Sequence, residues 1–359
     1  MVARVCLVSG GTGGHLMPAL ALARALRQRG HEPLLVREGR EVERKLLDQQ
    51  SGSMEQLGLS EERPSLLGLP LWLVRTTLRA RAILRERGID CVVSTGGRNS
   101  LPVGLAARSL RRPLFLLEQN AVSGRTNRML LPFSRRMYLG LPQREAGSER
   151  TVLTGTPLRQ EVFGADRTAA RRNLGLRDDL PVVVVTGGSQ GANSINTHVP
   201  PALAATGIPM QVIHLSGLGA EAAVQARYAA AAAPGLRATV RPVAVEMPML
   251  LAAADLVVSR GGGTTVAELM AVGRAAVIVP YPHHRDRQQF HNADVLVRAG
   301  AAEVVEEKDM GAERLERIFS ALLCDPARLA RMGEAARAQC PGDPCEAILE
   351  DMQRQGGLG

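Results

Sequence analysis

The fold class of this chain is decided by the stretch VCLVSGGTGGH at residues 5–15. A short apolar run, 5–8, leads through a glycine-rich loop to His15 and to a helical pattern that starts near Pro18. A strand that enters a helix through glycines places backbone N–H groups and the positive end of a helix dipole at one point, which suits phosphate oxygens. One loop of this kind is a weak signal by itself.

The second half of the chain repeats the pattern twice. TGGSQGA at 186–192 follows the apolar run 182–185, and SRGGGTT at 259–265 follows the run 256–258. Two halves built in this way predict an α/β protein with two Rossmann-like parallel-sheet domains facing each other across a cleft, in which a diphosphate is held.

Short β-branched runs alternate with amphipathic helical segments, which is the rhythm of βαβ units. With 359 residues the chain exceeds what one core usually supports. We predict an N-terminal domain over 1–157, a C-terminal domain over 158–339, and a C-terminal helix at about 340–359 that packs back on the first domain. The Pro-, Gly- and Arg-rich stretch 141–157 is interpreted as the passage between domains. Further predicted strands are 91–94, 114–117, 211–215 and 276–279, and the predicted helices include 20–29, 71–87 and 103–109.

The charge balance predicts an anionic partner. The formal net charge is +9 and the sequence pI about 10.1, which fits nucleic acid, a phosphorylated substrate or an anionic membrane. Aromatic residues make up only 3% of the chain. The sequence shows no stripe of aromatic and basic residues of the kind that stacks nucleic-acid bases, so nucleic acid is not expected as a partner. No signal peptide and no apolar run long enough to span a membrane is found.

The five cysteines show neither a CxxC pair nor a zinc spacing. Cys6 and Cys91 fall in predicted strands and are interpreted as small buried apolar residues. Cys340 and Cys345 could pair, although a reduced cytosolic state is favoured.

Six motifs, in order along the chain, resemble the MurG family of N-acetylglucosaminyltransferases, within glycosyltransferase family 28. They are GGTGGH at 10–15, EQNA at 118–121, GTPLR at 155–159, GGSQGA at 187–192, TVAE at 265–268 and DRQQ at 286–289. The resemblance implies the GT-B fold and inverting transfer of N-acetylglucosamine from UDP-GlcNAc to the muramyl sugar of undecaprenyl-diphosphate-linked MurNAc-pentapeptide, the step from lipid I to lipid II in peptidoglycan synthesis. It makes the first domain the acceptor and membrane domain and the second the UDP-GlcNAc domain.

His15 is the candidate catalytic base, because an imidazole suits proton transfer near neutral pH. The alternatives are that His15 neutralises phosphate or caps its loop. The resemblance implies that Glu268 binds the ribose hydroxyls of the donor; the alternative is a solvated residue on the helix surface. It also implies that Gln288 and Gln289 select the sugar, and the alternative for them is a role at the start of a helix. The expected donor-binding residues are Thr12, Gly13, Gly14, Asn120, Arg159, Ser189, Ala244, Gly263, Thr264, Thr265, Val266, Ala267, Glu268, Gln288 and Gln289.

The acceptor diphosphate is expected at Gly96, Gly97, Arg98 and Asn99. This loop departs from the family pattern, which usually has Gly where Ser94 stands and Tyr where Arg98 stands. Arg98 either adds charge for the acceptor phosphate or points into solvent. A further departure is Leu117, where the family commonly has His.

An apolar segment with arginines after it predicts peripheral attachment to an anionic membrane, at its cytoplasmic face. The alternative is an ordinary helix packed on the sheet. The resemblance also allows contacts with other proteins of cell-wall synthesis. The expected membrane contacts are Leu66, Leu67, Leu69, Trp72, Leu73, Arg75 and Arg79.

No cofactor and no essential metal are expected. His283, His284 and Asp286 lack the carboxylate shell of a metal site, and a helix dipole supplies positive charge. Rival functions are another UDP-sugar-dependent lipid glycosyltransferase, a non-catalytic sugar-nucleotide-binding subunit, and a nicotinamide-dependent oxidoreductase. The last is disfavoured because residues 10–15 are not GxGxxG and no acidic residue is expected to close a second strand near 34–36.

Overall fold

The computed structural model describes residues 1–10, 13–38, 55–59, 65, 67–143, 148–188, 191–244 and 246–358. The chain divides into two compact units. Unit 1 contains Met1–Arg159 and Pro341–Gly359, and unit 2 contains Gln160–Cys340.

The described part of unit 1 is built on a parallel sheet of seven strands in the order β3-β2-β1-β4-β5-β6-β7. Its central strands are apolar on both sides, as expected where helices cover both faces of a sheet. The strands are β1 (Arg4–Val8), β2 (Glu32–Arg37), β3 (Glu55–Gly58), β4 (Cys91–Ser94), β5 (Leu114–Glu118), β6 (Arg136–Leu139) and β7 (Thr151–Leu153).

The helices of unit 1 cover both faces of that sheet. They are α1 (Gly13–Gln28), α2 (Leu69–Glu86), α3 (Ser100–Ser109), α4 (Arg125–Leu130), a 3-10 turn at Leu131–Phe133, and the C-terminal α14 (Pro344–Arg354). The predicted start of α1 near Pro18 is wrong. The helix begins at Gly13 and includes Pro18 as its sixth residue, where the proline removes one i→i−4 hydrogen bond without ending the helix.

Alternate residues of β1 point to two separate cores. Val5 and Leu7 pack with Leu16 and Leu22 of α1, and with Ile348 and Met352 of α14. Cys6 and Val8 pack on the opposite face with Ala80 and Leu84 of α2. The C-terminal helix is therefore part of the core of unit 1, and the hydroxyl of Tyr138 donates a hydrogen bond to Asp351 Oδ2 at 3.0 Å.

The stretch 141–157 is not simply a passage between domains. It contains β7, which extends the sheet of unit 1 beyond β6. Gly155 has φ +85°, and a Cβ there would lie 2.9 Å from Pro341, so the segment leaving unit 1 packs against the segment that returns to it. The prediction failed because three residues, two of them half-buried, carry little strand periodicity.

Unit 2 has a parallel sheet of six described strands in the order β10-β9-β8-β11-β12-β13. The strands are β8 (Val182–Thr186), β9 (Met210–Leu215), β10 (Leu236–Arg241), β11 (Leu256–Ser259), β12 (Ala275–Ile278) and β13 (Ala302–Val304). The helices are α5 (Gln160–Phe163), α6 (Arg167–Asn173), α7 (Asn193–Ala205), α8 (Glu221–Ala231), α9 (Met247–Ala253), α10 (Gly263–Val272), α11 (Gln288–Arg298), α12 (Ala312–Leu323) and α13 (Pro326–Ala338), with a 3-10 turn at Glu307–Asp309.

The sheets of both units share one strand order, in which the first strand of each lies at the centre with the second on one side and the fourth on the other. The chain reverses direction across the sheet at that point, and ligands of doubly wound folds bind beyond the carboxyl ends of those strands. The predicted glycine loops follow β1 and β4 in unit 1 and β8 and β11 in unit 2.

Cys6 and Cys91 are completely buried in β1 and β4, as predicted. Burial raises the pKa of the Cys6 thiol to about 12, so this residue behaves as an apolar one near neutral pH. In the part of the chain that the structure describes, every helix is too short or too polar to cross a membrane.

Candidate active site

The loops after β1 and β4 pack directly against each other. Gly97 has φ +99°, and a Cβ on it would collide with the Cα atom of Gly10. A Cβ on Gly10 would lie 2.7 Å from the Cα of Gly97. Glycine is needed at both positions because the two backbones touch.

His15 lies in the first turn of α1, because the helix already begins at Gly13. Its Nδ1 is 2.6 Å from the carbonyl oxygen of Thr95. A carbonyl only accepts, so Nδ1 carries the proton and donates, and the lone pair of the neutral ring lies on Nε2. The ring packs on Gly96, where a Cβ would lie 2.9 Å from Cε1.

Thr95 and Gln119 complete the surroundings of this imidazole, and neither was expected from the sequence. The hydroxyl of Thr95 donates to the carbonyl of His15 at 2.9 Å. The Gln119 amide nitrogen donates to the Thr95 carbonyl at 3.2 Å, so His15 and Gln119 share one acceptor. Gln119 lies within the EQNA motif, but only the fold brings it next to the loop after β4.

Glu118, the last residue of β5, orients Asn120. Its Oε1 accepts from the backbone N–H of Asn120 at 3.1 Å and from the Asn120 side-chain amide at 3.0 Å. Its Oε2 accepts from the Gly124 N–H at 2.8 Å and the Asn127 amide at 2.9 Å. A buried carboxylate with four donors is well satisfied, so the half-buried Asn120 is held in a defined orientation.

An acidic residue, Glu38, does follow the second strand, contrary to expectation. The strand extends to Arg37, one residue beyond the predicted 34–36, so Glu38 directly follows it. Glu38 is 2% exposed, and its Oε1 accepts from the Arg98 N–H at 2.6 Å. The predicted acceptor residue Asn99 is also completely buried, and its amide donates to the Arg37 carbonyl at 3.3 Å. Asn99 therefore anchors the loop instead of presenting an amide to a ligand.

In unit 2, α10 begins directly after the glycines that follow β11, with Gly262 as its N-cap. The first i→i−4 bond of the helix is donated by Val266 N–H to the Gly262 carbonyl at 2.9 Å. The N–H groups of Gly263, Thr264 and Thr265 precede it, and the positive end of the dipole lies there.

The expected donor residues on α10 differ in exposure. Val266 is completely buried, and its N–H is used within the helix. Ala267 is 6% exposed. Both side chains are therefore buried, and their contact with the donor stays a prediction. Glu268 is half-buried, one turn into the helix.

Gln289 ties two segments of unit 2 together. Its Oε1 accepts from the Gly261 N–H at 3.1 Å and from the Tyr281 N–H at 2.9 Å. A Cβ on Gly261 would collide with the Gln289 carbonyl. The amide oxygen of Gln289 therefore supports the loops after β11 and β12, while Gln288 starts α11 and donates its N–H to Asp286 Oδ1 at 3.3 Å.

Arg260 and Glu307 form a partly buried ion pair beside this loop. Ser194 donates to Glu307 Oε1 at 2.7 Å and Arg260 donates to the Ser194 hydroxyl at 3.1 Å. Burial acts to raise the pKa of Glu307, but the hydrogen bonds from Ser194 and Arg260 outweigh it and hold the pKa below its ordinary value. The carboxylate stays charged and keeps Arg260 in place.

The remaining predicted donor residues are spread over both units. Arg159 ends unit 1 and Ala244 follows β10, and both are half-buried. Gly13 and Gly14 form the first turn of α1. Thr12 and Ser189 lie outside the described residues. Among those that are described, no cluster of three or more His, Cys, Asp or Glu has the arrangement of a metal site.

The segment predicted to contact a membrane is α2 and the residues before it. Trp72 is 9% exposed and lies with Thr76, Ala80 and Leu84 on the face that packs into unit 1. The prediction is therefore wrong for Trp72, because the helix repeat turns it inward. The opposite side is apolar and exposed. It carries Leu67, Leu69, Leu71, Val74 and Leu78, with Leu73 half-buried and Arg75 and Arg79 exposed, while Leu66 lies outside the described residues.

Known proteins share this architecture over nearly the full chain. Residues 5–139 match the glycosyltransferase family 28 N-terminal domain, and residues 182–341 match the glycosyltransferase family 28 C-terminal domain. The crystal structure of Acinetobacter baumannii MurG superimposes with a TM-score of 0.81 at 30% identity, covering 98% of this chain and 99% of that one.

Two relatives carry the name UDP-N-acetylglucosamine–N-acetylmuramyl-(pentapeptide) pyrophosphoryl-undecaprenol N-acetylglucosamine transferase. The protein from Halorhodospira halophila is 39% identical over 97% of this chain and 97% of its own length. The protein from Xanthomonas campestris pv. campestris is 39% identical over 99% of this chain and 82% of its own length.

Two Rossmann-like parallel-sheet domains that match both halves of family 28 define a glycosyltransferase of the GT-B fold, and the predicted fold class is confirmed. Within family 28, the chain belongs to the MurG family.

Proposed function

We propose that this enzyme transfers N-acetylglucosamine from UDP-GlcNAc to the muramyl sugar of undecaprenyl-diphosphate-linked MurNAc-pentapeptide, with inversion from α to β. The acceptor and donor are those in the names of relatives that match nearly the whole chain. The observation within the fold that carries the proposal is the bond from His15 Nδ1 to the Thr95 carbonyl, since it leaves Nε2 as a proton acceptor.

The reaction is a single displacement. The acceptor hydroxyl oxygen forms a bond to the anomeric carbon while the bond from that carbon to the diphosphate oxygen of UDP breaks. The hydroxyl proton passes to Nε2 of His15. The imidazolium that forms is stabilised by the Thr95 carbonyl, which already accepts from Nδ1–H, so the ring needs no reorientation.

The leaving diphosphate is assigned to the start of α10. Charge grows on UDP as the glycosidic bond breaks, and the N-terminus of a helix favours negative charge at that place. Glu268, one turn further along, is assigned to the ribose hydroxyls, since a carboxylate accepts from both. The amide of Asn120, oriented by Glu118, is assigned to the transferred sugar.

No metal is required in this proposal, because the helix dipole offsets the charge of the diphosphate. Full transferase activity in excess EDTA is expected. An enzyme that is inactive in chelator and restored by Mg²⁺ or Mn²⁺ would refute this assignment.

Attachment to the membrane is assigned to the exposed side of α2. Leu67 is 96% exposed and Leu71 62%, and arginines follow on the same helix. An apolar surface bordered by arginines binds an anionic bilayer without crossing it. We place the enzyme peripherally at the cytoplasmic face of the cell membrane, where the lipid-linked acceptor would be reached.

The test is transfer of radiolabelled N-acetylglucosamine to lipid-linked muramyl-pentapeptide, with other polyprenyl-diphosphate sugars as competing acceptors. A product of one added sugar in the β configuration is expected only with the muramyl acceptor. Faster transfer to a different lipid would show that the enzyme uses another acceptor. Binding of UDP-GlcNAc without transfer to any lipid would show that the protein is a non-catalytic sugar-nucleotide-binding subunit.

A further inference from the structure

A buried carboxylate stands beside the predicted acceptor loop and is not used by the proposed reaction. Glu38 directly follows β2, and its side chain is 1% exposed. The loop after β4 lies against it: Oε1 accepts the Arg98 N–H at 2.6 Å, and a Cβ on Gly97 would lie 2.9 Å from the same oxygen.

The charge of this carboxylate is opposed by the side chain of the same loop residue. The Arg98 guanidinium Nη2 lies 3.9 Å from Glu38 Oε2, and the Arg98 side chain is 21% exposed. Burying a carboxylate is costly unless a cation and hydrogen bonds compensate. A negative charge beside the loop proposed to bind phosphate would also repel that ligand. A cation that the carboxylate holds at the loop would offset this repulsion.

The contacts of the loop after β4 connect Glu38 with the surroundings of His15. Asn99 anchors to the Arg37 carbonyl, so two consecutive loop residues attach to the end of β2. The loop in turn packs through Gly97 on Gly10 and through Gly96 on the ring of His15. The position of Arg98 is thereby determined by the same packing that positions the proposed base.

We propose that Glu38 is a positioning residue for the acceptor: through its bond to the Arg98 N–H and its pairing with the guanidinium, it directs Arg98 to the diphosphate of the lipid-linked substrate. Arg98 stands where the MurG family usually has Tyr, so the pair gives this chain a charged means of acceptor recognition. This inference rests on the proposed function.

A double-mutant cycle tests it. Arg98→Ala and Glu38→Ala should each raise the acceptor KM about tenfold, with donor KM and the pH dependence of kcat unchanged. The double variant should be no worse than Arg98→Ala alone, because Glu38 acts through Arg98. Glu38→Gln, which keeps the shape and a neutral acceptor for the N–H, should raise acceptor KM about threefold.

Matched controls are Glu32→Ala, an exposed glutamate at the start of β2, and Arg108→Ala, an exposed arginine of α3. Both should leave acceptor KM unchanged. Three results would overturn the proposal: an unchanged acceptor KM in folded Glu38→Gln and Glu38→Ala, equal increases in donor and acceptor KM, or single effects that multiply in the double variant.

Binding of farnesyl diphosphate, measured by calorimetry, separates this inference from the proposed function. Weaker binding by Glu38→Ala and Arg98→Ala, in an enzyme that fails to glycosylate the muramyl acceptor, would refute the function and support the pair. Normal transfer with farnesyl diphosphate affinity unaffected by either substitution would support the function and refute the pair.

Discussion

The loop clusters of the two units are built differently, although their sheets share one strand order. In unit 1, side chains are buried between the loops: Glu38 holds the loop after β4, Glu118 holds Asn120, and the Thr95 carbonyl fixes His15. In unit 2, the glycines after β11 lead directly into the start of α10, and Gln289 and the Arg260–Glu307 pair support that loop from outside it.

This difference indicates a division of chemistry. Proton transfer needs a side chain in one tautomer and one orientation, which requires neighbours that hold it. Neutralising a leaving diphosphate needs only oriented N–H groups, which a helix start supplies without side chains. Unit 1 is therefore expected to lose activity when single side chains change, and unit 2 to lose mainly donor affinity.

The largest effect is expected at His15. His15→Ala should lower kcat by roughly 10²–10⁴-fold with donor KM little changed, since a general base contributes to the transition state more than to binding. Steady-state kinetics with varied donor concentration measures both kcat and the donor KM.

His198→Ala, an exposed histidine of α7, is the matched control and should behave as wild type. If His15→Ala keeps kcat and loses only acceptor affinity, His15 binds phosphate, and another residue must act as the general base.

A smaller effect, confined to the donor, is expected at Glu268 in unit 2. Glu268→Ala should raise the KM for UDP-GlcNAc roughly tenfold or more, since losing a charged hydrogen-bond partner costs about 1.5–3 kcal/mol. The variant should keep its acceptor KM. Donor kinetics identical to wild type would refute the assignment of Glu268 to the ribose. An equally large loss in kcat would contradict the expectation that changes in unit 2 affect mainly donor affinity.

A buried polar network in unit 2 should make its stability depend on pH. His214 is completely buried, with Nδ1 3.0 Å from the Tyr228 hydroxyl and Nε2 3.0 Å from Asn196 Oδ1. Burial lowers the pKa of His214 to about 4 from an ordinary 6.5. The unfolded chain therefore binds the proton first, and stability falls as the pH drops from about 6.5 to about 4.

At pH 5 this residue should cost about 2 kcal/mol of unfolding free energy relative to pH 7. His214→Gln, which cannot be protonated, should lose that part of the pH dependence while other groups keep theirs. Urea unfolding of both proteins at pH 5 and pH 7 measures the difference. The same slope in both would show that His214 is not held neutral.

The smallest effect is expected at the surface of α2. Combined Leu71→Ser, Val74→Ser and Leu78→Ser should weaken co-sedimentation with anionic vesicles several-fold and leave the thermal midpoint nearly unchanged, since these side chains are exposed. Binding should also fall with salt, because the Debye length is about 10 Å at 0.1 M.

Trp72→Ser is the matched control, because Trp72 lies on the buried side of the same helix. It should destabilise the protein by about 3 kcal/mol and leave vesicle affinity of the folded enzyme intact. Vesicle binding unaffected by the three surface substitutions would remove α2 from membrane attachment.

The glycine loops and apolar runs were sufficient to predict two Rossmann-like domains, because a buried parallel strand leaves a continuous apolar run that can be read locally. The short edge strand β7 was missed, since half-buried residues such as Thr151 and Val152 lack that pattern. Leu117, a departure from the family, turns out to be a core residue packed with Leu16 and Phe115.

The sequence by itself determined the fold class, the positions of the loops and the candidate base His15, because these depend on local pattern and spacing, and the family resemblance added Glu268. Only the tertiary structure decided which partners act on them. Thr95 lies 80 residues from His15, and Glu38 lies 60 residues from Arg98. Parallel strands bring such residues together at one edge of a sheet. The tautomer of His15, the burial of Trp72 and the pairing of Glu38 follow from those long-range contacts, which no local pattern contains.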